Sequence, residues 1–121
     1  WREVVYFQRH TGVTPEFALH TATLKNAQLL GVADVTGSIE TGKSADMIVL
    51  DANPLDDLMA LQNVAQVYMA GKSVKCKAKH LPKLDAELDG IMDGLDSDPF
   101  VREWQVEGSK KASGPFAKLK K

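Results

Sequence analysis

The stretch at residues 37–55, GSIETGKSADMIVLDANPL, holds the most apolar run of this chain. That run is Met47–Leu50, in which four consecutive residues are apolar and two are β-branched, with turn-forming residues on both sides. Such a run predicts a short strand, and because all its side chains are apolar we expect it to be buried on both faces. Tight turns are predicted before it, at residues 41–43, and after it, at residues 51–54.

Upstream of this stretch the sequence predicts two helices. The first ends at Thr11-Gly12, since glycine commonly stops a helix. The second begins at Thr14-Pro15, where a hydroxyl can cap the helix and proline fits the first helical position. We expect it to run to about Leu30. Its apolar residues fall on two sides of a helical wheel, which predicts a helix between two layers of an α/β body. One half holds Ala18, Leu19, Ala22, Ala27, Leu29 and Leu30, and the opposite side holds Phe17 and Leu24.

Downstream, the pattern predicts a short helical turn and a β-hairpin. The helical turn opens at Asn53-Pro54 and runs to Leu61. The hairpin strands are predicted at residues 65–69 and 72–75, joined by Ala70-Gly71. Two-residue hairpin turns prefer Asn or Asp before the glycine, so Ala70 leaves the turn type open.

The C-terminal third has helical rather than strand periodicity. From Pro82, apolar residues recur at Leu84, Leu88, Ile91 and Leu95, which predicts an amphipathic helix with acidic residues mostly off that line. Asp98-Pro99 predicts the start of another short helix. Residues 107–121 carry five lysines and little apolar content, and we expect them to be mobile or lightly docked.

Composition limits the classes of protein to which the chain can belong. It has 121 residues, a formal charge of −1, 44% hydrophobic and 26% charged residues, which is ordinary for one globular domain or a piece of one. The composition indicates neither a nucleic-acid partner nor a membrane span. The single cysteine, Cys76, excludes an internal disulfide, so a reducing, cytoplasmic location is the default expectation. Because Arg2 to His10 already has the pattern of a mid-helix segment, we expect the native start to lie upstream of Trp1.

The ionisable residues do not form a recognisable catalytic or metal motif. The histidines His10, His20 and His80 stand in separate segments without metal-ligand spacing. Residues 85–96 imitate the acid and glycine spacing of a calcium loop, but position twelve is Asp96 instead of Glu and the same residues suit an amphipathic helix. The glycines near Lys43 do not have phosphate-loop spacing. We therefore expect no catalytic and no metal-ligating residue in this segment.

Three ordered motifs together resemble the C-terminal region of the metal-dependent amidohydrolases, in the branch of imidazolonepropionase-like and Xaa-Pro dipeptidase-like enzymes. The first is TPEFALHTATLKNAQLLG at residues 14–31, which looks like the last large helix of that family. The second is GSIETGKSADMIVLD at residues 37–51, similar to its returning strand segment. The third, at residues 64–74, is similar to its closing hairpin. Thr41 stands where the family often has proline, and the sequence from Pro82 onward matches no family pattern.

The resemblance implies an α/β fragment. Residues 1–34 would be the last helices of a (β/α)8 barrel, and residues 35–78 the C-terminal half of a small composite β-sandwich. A helical extension at 79–106 and the Lys-rich tail at 107–121 would follow. The family's metal ligands, which include a His-x-His pair, would all lie upstream of Trp1.

Functionally, the resemblance implies a hydrolase that cleaves C–N bonds with a divalent metal, zinc by family expectation, while this segment lacks the site. Its partner would be the N-terminal remainder of the same enzyme, and a homo-oligomer is left open. Structural roles are expected for Gly37, Gly42, Asp46 and Gly71. The competing hypothesis is a standalone interaction module that binds through the acidic amphipathic helix or an open sheet edge.

Overall fold

The computed structural model describes residues 1–75 and 81–102. The chain divides into two compact units, Trp1–Cys76 and Lys77–Lys121. The described residues include neither Cys76, His80 nor the Lys-rich tail, so the expectations for them lie outside the described part. The divisions predicted at residues 34, 78 and 106 stay predictions.

The first unit begins with two helices at the predicted places. Helix α1 spans Arg2–Thr11 and ends at Gly12, whose φ of 68° is left-handed and whose N–H donates to the Gln8 carbonyl. Helix α2 spans Pro15–His20, and the Thr14 hydroxyl accepts a hydrogen bond from the Phe17 N–H at 3.2 Å. Both the glycine stop and the threonine cap predicted from the sequence are confirmed.

The second predicted helix is present but is not α-helical throughout. After α2, residues Thr21–Lys25 form a π-helical turn, and α3 then covers Asn26–Leu29. A π turn holds more residues than an α turn, so it rotates everything that follows relative to a regular helix. Ala18 and Ala27 are buried, whereas Leu29, predicted on the same apolar half, is 84% exposed. The prediction of two buried sides was wrong for Leu29 and Leu30, both of which are exposed.

A three-stranded antiparallel sheet follows. Strand β1 is Met47–Leu50, β2 is Val64–Met69 and β3 is Lys72–Val74, in the order β1-β2-β3. Met47 pairs with Tyr68 and Ile48 with Val67, and the register shifts between Val49 and Leu50. The predicted strand at Met47–Leu50 is confirmed, and the hairpin strands differ from their predicted bounds by one residue.

Burial of β1 on both faces was wrong for the described residues. Met47, Ile48 and Val49 are 37% to 49% exposed. The physical reason is that β1 is an edge strand, paired on one side by β2, and that the buried core lies elsewhere in the unit. The apolar strand is therefore present, but its two faces are not buried as its sequence pattern predicts.

The core of the first unit is built by helices. Val5 from α1, Ala18 from α2 and Leu58 are buried together, and six partly buried residues pack around them: Trp1, Val4, Val13, Leu19, Met59 and Leu61. Leu58 begins a 3-10 helix, Leu58–Gln62, which Asp57 caps by accepting from the Met59 N–H at 2.8 Å. The helix begins four residues after the Asn53-Pro54 start that the sequence predicted. This core anchors the connection between β1 and β2 to the two N-terminal helices.

Gly37 marks a close approach between the loop before β1 and the helical run. Its φ is 96°, and a Cβ at this position would lie 2.6 Å from the Ala27 Cβ and 3.1 Å from the Leu24 Cα. Gly42 has a similar φ of 91°, but a Cβ there would meet nothing within 4 Å. Steric contact therefore forbids a side chain at Gly37, while only backbone conformation disfavours one at Gly42.

In the second unit, the described part is helical. Helix α4 spans Pro82–Ser97 as its periodicity predicts. Asp98 accepts from the Phe100 N–H at 2.8 Å and residues 99–102 are helical, as its Asp-Pro start predicts. Residues 85–96 lie within α4, which is incompatible with a calcium-binding loop. No helix in the described ranges is long and apolar enough to cross a membrane.

Substitution of the two glycines should separate steric contact from backbone strain. Gly42→Ala should lower the free energy of unfolding by about 1–2 kcal/mol, the cost of a left-handed residue with a Cβ. Gly37→Ala should lower it by about 3 kcal/mol or more, because the Cβ also meets Ala27 and the Leu24 backbone. Urea unfolding of both variants measures the difference. Equal losses would contradict the close approach.

Candidate functional site

The Asp46 carboxylate joins the start of β1 to the turn between β2 and β3. One oxygen accepts a hydrogen bond from the Ala70 N–H at 2.7 Å, and the other accepts from the Ser44 hydroxyl at 2.8 Å. Beside it, the Gly71 N–H donates to the Ala45 carbonyl at 3.1 Å. The segment before β1 is therefore hydrogen-bonded to the hairpin turn, whose Ala70 and Gly71 backbone N–H groups are the donors.

The hairpin turn itself has an unusual composition for its conformation. Ala70 has φ 48° and Gly71 has φ 74°, so both central residues are left-handed, as in a type I′ turn. Alanine has no side chain oxygen to support this conformation, unlike the Asn or Asp usually found there. The Asp46 carboxylate supplies the support from another segment. This settles the turn type that the sequence left open.

The hydrogen bonds of Asp46 also change its acidity. Chiefly the Ala70 N–H, and then the Ser44 hydroxyl, lower the pKa of the Asp46 carboxyl below its ordinary value. Both donors favour the charged form of the carboxylate. Asp46 is thus a stable anion whose two oxygens already have partners, which suits a structural acceptor better than a general base.

A second polar cluster lies in the loop before β1. The Lys43 ammonium donates to the Ser38 hydroxyl at 2.6 Å and lies 3.2 Å from the Glu40 carboxylate, to which Ser38 also donates. The Ser38 hydrogen bond and then Lys43 lower the pKa of Glu40. Gly42 stands in the turn that brings Lys43 back toward Glu40, and the Lys43 N–H donates to the Glu40 carbonyl at 3.2 Å.

The closeness of Ser38 and Lys43 raises the question of nucleophilic catalysis. A serine activated by lysine must give its proton to the lysine nitrogen. Here the direction is opposite, because Lys43 donates to the Ser38 oxygen while the Ser38 hydroxyl proton points to Glu40. The cluster therefore consists of hydrogen bonds and an ion pair within the loop, and Ser38 is not an activated nucleophile.

A groove of about 880 Å³ runs between the helical segment and the sheet. Its lining is mostly apolar and includes Ile39, Ile48 and Met69, with His20 and Asp46 among its polar residues. A binding pocket for a small molecule needs a few polar groups converging on one point. The Asp46 oxygens are engaged by Ala70 and Ser44, so the groove has the character of an apolar contact surface.

The histidines do not assemble a metal site in the described part of the chain. His10 lies on α1 beside the Tyr6 ring, at a centroid distance of 4.5 Å, and His20 ends α2. Within residues 1–75 and 81–102, no group of three or more His, Cys, Asp or Glu side chains is arranged to hold a metal ion.

The predicted structural residues fall into two places. Asp46 lies against the hairpin turn that contains Gly71, and Gly37 and Gly42 bracket the Ser38, Glu40 and Lys43 cluster. Their structural roles stay predictions. The Ser38, Glu40 and Lys43 cluster and the contact of Ala70 with Asp46 were not predicted from the sequence. The spacing Ser-x-Glu-x-x-Lys in a turn was a usable signal for the first, while nothing local indicates that Ala70 meets Asp46.

Comparison with known proteins finds relatives of the first unit. The profile of the Amidohydrolase family matches residues 2–74. The N-acetylglucosamine-6-phosphate deacetylase of Danio rerio is 41% identical over 71 residues, which are 59% of this chain and 16% of that protein. The imidazolonepropionase of Thermoplasma acidophilum is 38% identical over 61 residues, which are 50% of this chain and 15% of that protein.

A solved structure gives the same result at the level of the fold. A candidate prolidase from Bifidobacterium longum superimposes with a TM-score of 0.70 and 49% sequence identity, over 74% of this chain and 22% of that one. The chain thus spans less than a quarter of the length of each of these three proteins.

The acidity of Asp46 gives a pH-dependent signal at Ala70. Because the folded-state pKa is lowered, the stability contributed by this carboxylate is present above its unfolded pKa and is lost as the pH falls through the folded pKa. The Ala70 amide resonance should follow that titration, with a midpoint below the ordinary aspartate value. Asp46→Asn should abolish the titration at Ala70, and the control Asp51→Asn should leave it unchanged. A midpoint at or above the ordinary value would contradict the assignment.

Proposed function

The chain belongs to the amidohydrolase family, and on that premise we propose that it is the C-terminal structural part of a metal-dependent hydrolase that cleaves C–N bonds in amides or peptides. The observation that carries the proposal is the family match over residues 2–74, combined with the small fraction of each relative that the chain spans. The relatives are named as a deacetylase, an imidazolonepropionase and a candidate prolidase. Enzymes of these three kinds cleave C–N bonds, which supports the bond class of the proposal.

In this proposal the chemistry belongs to residues outside the chain. A divalent metal, zinc by family expectation, would activate water for attack on the carbonyl carbon. The described residues do not fit such a group, because residues 1–75 and 81–102 contain no group of three or more His, Cys, Asp or Glu side chains arranged to hold a metal ion, and the Asp46 oxygens already accept hydrogen bonds. We therefore assign no catalytic step to this chain.

The contribution of the chain would be a scaffold with an apolar docking face. This face is formed by Ile39, which is 87% exposed beside the groove, and by the exposed β1 residues Met47, Ile48 and Val49. Burying such a surface stabilises a protein by roughly 25 cal/mol per Å² of apolar area. The proposed occupant is the N-terminal remainder of the same enzyme, with α1 to α3 as the last barrel helices.

The sheet would then be half of a composite sandwich. Among the described residues, β1 pairs with β2 on one edge only, so the backbone groups of its other edge can pair with a further strand. An apolar edge strand of this kind favours association, so a covering strand from the remainder of the enzyme explains why natural selection tolerates it. The alternative, a standalone module that binds an unrelated partner through the same edge or through α4, uses the same exposed surface and is distinguished by the two experiments below.

Metal content separates the chain from the enzyme that contains it. The full-length protein should bind stoichiometric divalent metal and lose its amide or peptide hydrolysis after chelation. The isolated 121-residue chain should do neither, because its described residues present no ligand set. Metal analysis by mass spectrometry and a peptidase assay of both forms measure this. Stoichiometric zinc with hydrolysis in the isolated chain would overturn the proposal.

The docking face predicts how the isolated chain behaves in solution. It should elute in size-exclusion chromatography as a species larger than its 13.2 kDa, since its apolar strand edge can pair with another copy. Ile48→Lys, which places a charge on β1, should shift elution toward the monomer. The matched control is Leu55→Lys, which charges an exposed leucine outside the sheet.

In the full-length enzyme Ile48→Lys should again be the variant with the larger effect, but there it should be destabilising. Ile48→Lys should lower the melting temperature, because the lysine would be buried against the proposed occupant. Leu55→Lys should change it little. A compact monomer for the unmodified isolated chain, with no destabilisation by Ile48→Lys in the full-length protein, would favour the standalone module.

A further inference from the structure

Helix α4 carries an exposed apolar stripe that lies outside the family match. The stripe is formed by Leu84, Leu88, Ile91 and Leu95, which recur every three or four residues and are 36% to 60% exposed. The family profile ends at residue 74, so the stripe is not accounted for by the proposed hydrolase fold. An apolar stripe of this spacing usually faces another element.

The charge on α4 determines what chemistry can cover the stripe. The helix contains five acidic side chains and one basic one, Lys83. On a helical wheel, Glu87 and Asp85 border the stripe on its two sides. A second copy of α4 packed on the stripe would bring these acids against their equivalents, and like charges in such pairs are destabilising. The complementary occupant is a segment with apolar residues set among basic ones.

The chain itself contains such a segment after α4. Residues 107–121 carry five lysines and one acid, and the apolar residues Phe116 and Leu119 stand among those lysines. Lysine stems can cover apolar surface while their ammonium groups reach carboxylates. The net charges of the two segments are opposite in sign.

The length of the segment is sufficient. Helix α4 has 16 residues and is about 24 Å long. Residues 103–121 could span about 60 Å if extended, so they can turn back and reach every position of the stripe. Covalent linkage gives the tail an effective concentration in the millimolar range for short flexible linkers.

From these observations we propose that the Lys-rich tail, residues 107–121, docks on the apolar stripe of α4, with Phe116 and Leu119 against the stripe and the lysines beside the helix carboxylates. The contact is intramolecular and lies within the second unit. It does not depend on the proposed hydrolytic function. Because surface ion pairs are screened by salt, docking should weaken as ionic strength rises.

Carbodiimide cross-linking of the full-length protein tests this docking, since the reagent joins a lysine amine to a carboxylate in direct contact. At low salt, mass spectrometry should find links between the acidic residues of α4 and the five lysines of the tail, Lys110, Lys111, Lys118, Lys120 and Lys121. Their yield should fall about five-fold in about 0.5 M NaCl. Mixing ¹⁵N-labelled with unlabelled protein separates links within one chain from links between chains.

Variants of the stripe distinguish docking from random encounters. Leu88→Ser and Ile91→Ser keep every amine and carboxylate and should reduce the tail links about five-fold, because they remove the apolar contact. Ile and Ser have similar helix propensities, and circular dichroism checks that α4 persists. Leu55→Ser, an exposed leucine of the first unit, is the matched control.

A charge exchange provides the second measurement. Glu87→Lys in α4 should reduce links from the tail to the remaining acids, and Lys118→Glu in the same protein should restore them. Tail links insensitive to Leu88→Ser and Ile91→Ser, links only between different chains, or no links between the tail and α4 would each overturn the proposal.

Discussion

A hydrogen bond from the Ala70 N–H to the Asp46 carboxylate links the start of β1 to the hairpin turn of the sheet. Asp46 lies just before β1, and its hydrogen bond to the Ala70 N–H spans 24 residues of sequence. It therefore joins two segments that β1, the 3-10 helix and β2 separate in the sequence. Because the turn at Ala70-Gly71 has two left-handed residues, this bond also stabilises a conformation that alanine alone does not favour. The pairings of β1 with β2 and of β2 with β3 define the order of the sheet, and the Asp46 contact adds a hydrogen bond to its hairpin turn.

Packing is divided unevenly over the unit. The helices α1 and α2 share a buried core with Leu58, while the sheet is fastened to this body by a loop and by the close approach of Gly37 to Ala27. Several apolar residues of the sheet remain exposed, namely Met47, Ile48, Val49, Val64 and Met69. A sheet whose apolar side chains are still exposed fits the proposed role of the chain as one part of a larger enzyme.

Much of the fold follows from local sequence. The start of the second helix was predicted from Thr14-Pro15, the end of the first from Gly12, and the strand from Met47–Leu50. These signals could be used because caps, left-handed glycines and apolar runs act over a few residues. The contacts of the candidate site were harder to predict from the sequence. Asp46 was expected to be structural, yet its partner Ala70 could not be named, since hydrogen bonds between distant segments leave no local pattern. The π turn at Thr21–Lys25 was also not predicted, because the apolar pattern and the end signals of this segment are those of an ordinary helix.

The sequence by itself determined the elements, the family resemblance and the expectation that Met47–Leu50 forms a strand. Only the tertiary structure decided that this strand is an exposed edge, that Leu29 turns away from the core, and that Ser38 and Lys43 form a brace in which the lysine is the donor. The physical reason is that apolar pattern records what a side chain prefers to contact, while burial depends on which other layers are present to contact it.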